Sequence, residues 1–151
     1  MTVLPVPPTR EDAITFAAQA HRGQTYPAPG GEPFILHPLH VMLGVETPIE
    51  RIVAVLPDLI EDTPLTLADL RHRGYPPAVV AALDLLTHRD NEPYDADIAR
   101  LAPDPLARTV KRADLADNLA HNHRLPPDPA TRARIARYEQ AIASLQAVTT
   151  D

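Results

Sequence analysis

Proline constrains this chain more than any other residue. There are 18 prolines among 151 residues. Inside a helix each would remove a hydrogen bond and clash with the preceding turn, at a cost of about 3 kcal/mol. They fall instead between segments whose apolar residues recur at helical spacing, and strand-like alternation is nearly absent. Three of these borders pair a capping side chain with proline at the first helical position, where the missing N–H has no partner to lose. They are Thr47-Pro48, Asp104-Pro105 and Asp128-Pro129. In the first, Glu50 completes a capping box.

Further helices are expected from Arg10 to Arg22 behind Thr9, from His37-Pro38, and from Thr66 to Gly74. Others should run from Pro76 to His88 and from Tyr94 to Leu101, with the two long ones reaching about His121 and Leu145. The pattern predicts an all-α bundle of roughly eight helices in a single domain over residues 1–151, its core spanning 9–148 between short flexible ends.

One proline breaks the pattern. VAVLPDLIEDT places Pro57 inside the helix expected from Thr47 to Thr63, whose apolar stripe is Ile49, Ile52, Val53, Leu56, Leu59 and Ile60. The expectation is a kink at Pro57 that re-aims the residues C-terminal to it. Those residues are acidic: Asp58, Glu61 and Asp62 stand at i, i+3 and i+4, so three carboxylates crowd one face. A solvated acidic face is the plain interpretation. A divalent cation is the alternative, since it would relieve the repulsion most efficiently.

Two other segments favour the cation. Asp114, Asp117, Asn118 and His121 share a face of the helix from Asp104, with Lys111 one turn before Asp114, and His37 and His40 lie one turn apart. Imidazole and carboxylate donors from three helices of a bundle can converge on one ion.

Composition sets the remaining bounds. The chain has no cysteine, which removes disulfides and thiolate metal sites, and its net charge of −6 argues against a duplex nucleic-acid surface. No apolar run approaches the roughly 20 residues of a membrane span. MTVLPVPPTRED lacks the basic start and apolar core of a signal peptide, so a cytoplasmic location is expected.

The order of motifs is more specific than any of them alone. AHRGQ (20–24), GEPFILHP (31–38), VAVLPDLIEDT (53–63), LTHRDNEPY (86–94) and VKRADLADNL (110–119) run in register. Together they resemble the HD-domain phosphohydrolases of the RelA/SpoT type, in particular the small alarmone hydrolases. The resemblance implies a manganese-dependent enzyme that removes pyrophosphate from the 3′ position of (p)ppGpp. It assigns His37, Asp58 and Asp114 as metal ligands, Glu61 and Asp62 as the pair that orients and deprotonates water, and Asn118 as a substrate contact. Lys111 is a phosphate contact or the ion-pair partner of a carboxylate.

Two departures stand out. Pro57 occupies the place of the family's ligand histidine, and TYPAPG (25–30) replaces a loop that often carries basic residues. The same resemblance therefore also admits a lapsed HD domain kept for nucleotide binding or protein interaction. His40 is the nearest replacement ligand by spacing, whereas His121, two turns from Asp114, is too distant. His21 and Gln24 are read as packing and loop-ordering residues, and His72, His88 and His123 as surface ones. A homo-oligomer is compatible with the sequence and not specified by it.

Overall fold

Nine helices run through the described residues, 6–27 and 31–148 of a computed structural model. In chain order they are α1 (Arg10–Ala20), α2 (Leu36–Leu43), α3 (Pro48–Ala54), α4 (Pro57–Asp62), α5 (Leu67–His72), α6 (Pro77–Leu86), α7 (Tyr94–Leu101), α8 (Pro105–His123) and α9 (Pro129–Gln146). Among these residues the sole extended pairing is an antiparallel bridge between Thr25 and Pro33, so the chain is all-α as expected. The tip of the 25–30 loop, and residues 1–5 and 149–151 of the two ends expected to be flexible, lie outside the described residues.

The caps read from sequence form. Thr9, Thr47 and Thr66 close capping boxes with Asp12, Glu50 and Asp69, and Asp104 and Asp128 accept from the backbone N–H of Ala107 and Thr131. These bonds satisfy donors that the first helical turn leaves unpaired.

The expectation of one kinked helix from Thr47 to Thr63 is corrected. Pro57 does not kink a continuous helix; it begins a new one. The carbonyl of Val53, which an N–H at position 57 would take in an unbroken helix, accepts from Leu56 N at 3.2 Å instead. Leu59 N then bonds Leu56 O at 3.1 Å as α4 opens. Because proline brings no donor and its fixed φ suits a first helical position, dividing the segment removes the penalty of a proline in mid-helix. The apolar stripe divides with it. Val53, Leu56 and Leu59 are buried, Ile52 and Ile60 pack at the edge of the core, and Ile49 is exposed.

Helix α8 is the central strut, packed against α2, α3, α6 and α9. Its buried face carries Ala107, Val110 and Leu115, against a core built mainly of Val and Leu. Gly44, at the end of α2, lies where a Cβ would come within 3.3 Å of the Ala113 Cβ, so the α2 terminus sits close upon α8. Arg100 of α7 ties down the 87–93 connection by bonding the carbonyls of Leu85 and Thr87 and the carboxylates of Glu92 and Asp97.

The placement of Pro57 predicts the sign of a substitution. At a first helical position, Pro57→Ala should cost about 0.4–1 kcal/mol through added freedom of the unfolded chain. A breaker in mid-helix would instead yield a gain approaching about 3 kcal/mol on the same substitution. Urea unfolding of the two proteins measures the difference.

Candidate functional site

Three helices bring the predicted donors together. Helix α2 supplies His37, α4 supplies Asp58 and α8 supplies Asp114. His37 is buried, and its Nε2 donates to Asp114 Oδ1 at 2.8 Å while lying 3.8 Å from Asp58 Oδ2. Its Nδ1 donates to Asp117 Oδ2 at 2.7 Å, and the second oxygen of Asp117 accepts from His40 Nδ1 at 3.1 Å. Lys111 Nζ sits 3.0 Å from Asp114 Oδ2, an ion pair of the kind expected for it.

Beside this cluster is a cavity of about 40 Å³ whose lining includes Pro57, Asp58, Glu61, Lys111 and Asp114. Glu61 accepts from the backbone N–H of His88 at 3.1 Å, which links α4 to the segment held by Arg100. Asp62 is exposed at the end of α4 and is not part of that lining. Asn118 is half-buried on α8, and its carbonyl accepts from Asn122.

Electrostatics follow from the crowding. Burial alone would lower the pKa of His37, but hydrogen bonds to Asp114 and Asp117 and the charge of Asp58 push it up to about 10. Burial raises Asp58 to about 7, with His37 opposing and Asp114, Glu61 and Asp62 reinforcing the shift. Glu61 is raised by partial desolvation despite the opposing bond from His88. Asp114 moves the other way: burial would raise it, yet Lys111 and His37 hold it far below the usual carboxylate range. Carboxylates near one another with unlike proton affinities characterise sites where protons are held and moved.

A second, larger pocket of about 370 Å³ opens on the far side of Asp117. Tyr26, Glu32, His40, His121 and Arg124 are among its lining residues. The Tyr26 ring stacks on His121 with centroids 4.5 Å apart and planes 24° from parallel. The hydrogen bond from Tyr26 N to Glu32 O, at 2.9 Å, folds the loop so that this ring faces α8. Burial and the charge of Asp117 raise the Tyr26 phenol to about 12, so it stays neutral and able to donate.

Several sequence-level assignments find their places. His121 belongs to the stacked pocket and not to the carboxylate cluster. His40 is about half exposed and turned to Asp117, not to Asp58. His21 is buried with Nδ1 2.7 Å from Gln24 Oε1, in keeping with a packing role. Sequence reasoning gave no separate role to Asp117 or Tyr26. The shared face of Asp114 and Asp117 was visible there, but the partner across α2 was not.

The donor types suit a hard divalent cation, since one imidazole nitrogen faces two carboxylates that line a small cavity. In this arrangement His37 hydrogen-bonds Asp114 directly, and among the described residues no group of three or more His, Asp or Glu is placed to hold a metal ion.

Metal-free stability should depend on pH in a specific direction. His37 keeps a proton that the unfolded chain releases near pH 6.5, so its contribution is complete below that value and lost as pH rises through about 10. Asp58 acts in the same direction between its ordinary 3.8 and about 7. Asp114, held low, loses its contribution only as pH falls below the usual carboxylate range. The melting temperature of metal-free protein is therefore expected to fall from about pH 6 to pH 10, and His37→Gln should flatten the alkaline part of that slope. Thermal melts across that range check it.

Comparison with known proteins places the chain. No protein-family model matches it. Human guanosine-3′,5′-bis(diphosphate) 3′-pyrophosphohydrolase MESH1 is 35% identical over 140 residues, covering 84% of this chain and 76% of MESH1. The bifunctional (p)ppGpp synthase/hydrolase SpoT of Escherichia coli K12 is 34% identical over 139 residues. That match covers 83% of this chain but 19% of SpoT, so the chain spans a small part of that relative's length. A solved structure of a metazoan ortholog of SpoT that hydrolyzes ppGpp superposes with a TM-score of 0.79 over 96% of this chain and 89% of that one. At 20% sequence identity the likeness establishes the shared fold. No helix among the described residues is long and apolar enough to cross a membrane.

Proposed function

This chain belongs to the family of guanosine-3′,5′-bis(diphosphate) 3′-pyrophosphohydrolases, and we propose that it hydrolyses a (p)ppGpp-like nucleotide with a divalent metal, manganese by family resemblance. One observation carries this reading. His37 of α2 lies within hydrogen-bond distance of Asp114 and near-contact distance of Asp58, two carboxylates from helices far apart in sequence that line one small cavity.

In this reading those three residues hold the metal, which when bound supplies Lewis-acid stabilisation of charge developing on the phosphoryl oxygens. The protein's own groups do the rest. Glu61 lines the same cavity with a proton affinity raised above the ordinary, which suits a group that takes a proton from water. Asp62 lies next to it and adds negative charge to that end of α4. Lys111 neutralises Asp114 from the side opposite His37 and stands at the cavity wall where a phosphoryl group would arrive. The stacked Tyr26 and His121 offer a planar face for a base in the adjoining pocket, with Asn118 on the same helix as His121. Water then attacks phosphorus, the 3′ oxygen leaves with a proton, and pyrophosphate is released.

Pro57 is taken to stand where relatives place a ligand histidine. It lines the cavity and brings no donor atom. A three-residue shell completed by water is ordinary for manganese or magnesium. The lapsed-domain reading is favoured by one observation, the full occupation of both His37 nitrogens by carboxylates. Metal analysis of the native protein separates the two readings.

Purified protein supplied with manganese is expected to release pyrophosphate from ppGpp. Asp58→Asn or Asp114→Asn should lower the rate at least about 100-fold. Pro57→His should raise both metal content and turnover. Absence of metal binding at millimolar supply, with no nucleotide hydrolysed, would leave the binding-module reading in its place.

A further inference from the structure

The family resemblance leaves Asp117 without a role, although its surroundings are unusual. Its side chain is 13% exposed and lies on α8 between the metal-ligand cluster and the stacked pocket. Each carboxylate oxygen takes a different imidazole of α2: Oδ2 accepts from His37 Nδ1 at 2.7 Å and Oδ1 from His40 Nδ1 at 3.1 Å. His37 and His40 are one helical turn apart, as are Asp114 and Asp117, so the contact is a register match between two packed helices.

We propose that Asp117 is a positioning residue, a carboxylate clamp that fixes the ring of His37 so that Nε2 faces Asp58 and Asp114. An ionised carboxylate is acceptor-only, so the nitrogen facing it must carry the proton. In the metal-free protein Nε2 likewise faces the Asp114 carboxylate and carries a proton; a cation bound there would displace that proton, leaving the hydrogen of the neutral ring on Nδ1 and the Nε2 lone pair for the ligand. The ring has two orientations about the Cβ–Cγ bond, and the flipped one would aim a carbon at Asp117 and forfeit this bond. Phe34, with its ring centroid 5.7 Å from that of His37, flanks the imidazole but offers no polar partner. A hydrogen bond from the distal nitrogen of a metal-bound histidine to a carboxylate also raises the basicity of the ligating nitrogen. The inference rests on the proposed function for the identity of the ligand, but the clamp itself can be observed without metal.

The test uses the full chain labelled with ¹⁵N. In metal-free native protein, His37 Nδ1–H should give a signal protected from solvent exchange, and Asp117→Ala should abolish it while helical circular dichroism is retained. Manganese affinity measured by calorimetry should fall about 10–100-fold in Asp117→Ala. Asp117→Asn, with one acceptor oxygen for two donors, should lie between, and His40→Ala should stay near native. An Asp117→Ala protein that keeps the His37 signal and native metal affinity would overturn the clamp. If Asp117→Ala does not fold, Asp117→Asn decides by the same two readouts. Should native protein bind no metal, the functional reading fails, while loss of the His37 signal in Asp117→Ala would still establish the clamp.

Discussion

His37 holds the architecture of the site together. Both ring nitrogens are bound by carboxylates one turn apart on α8, so a single buried side chain on α2 fixes that helix in register with the central strut. Asp114 has Lys111 on its other oxygen, whereas burial is what chiefly raises the proton affinity of Asp58, which has no hydrogen-bonded cation to offset it. Crowded carboxylates thus differ in behaviour because one of them is doubly neutralised and another is not.

The proline that opens α4 serves the same arrangement. Dividing one expected helix into α3 and α4 removes an impossible hydrogen bond and lets Leu56 and Leu59 both remain buried. It also turns Asp58 toward His37 and Glu61 toward the His88 N–H, with Arg100 securing the segment that provides it. A residue that in sequence looked like damage to a helix is compatible with the fold. Its chemical consequence, the lack of a donor at the cavity wall, is separate from any consequence for stability.

Much of the candidate site was legible in the sequence because helical periodicity is local. The spacing of Asp58, Glu61 and Asp62, and of Asp114, Asp117 and Asn118, determines which side chains share a face of one helix. The capping residues likewise act within four positions of themselves, so Thr9, Thr47, Thr66, Asp104 and Asp128 could be read directly. The division at Pro57 was harder, since a kink and a restart have the same local sequence signature. They differ only in whether the turn between them finds alternative hydrogen bonds.

Sequence by itself determined the helical class, the caps, the faces on which charges gather and, through the order of its motifs, the family. Tertiary structure alone decided which charges are paired. That Asp114 meets both Lys111 and His37, that Asp117 bridges two imidazoles, and that Tyr26 lies on His121 depend on how the helices and the loop come together. Such contacts are set by packing around α8, and no period along a single helix encodes the partner across the interface.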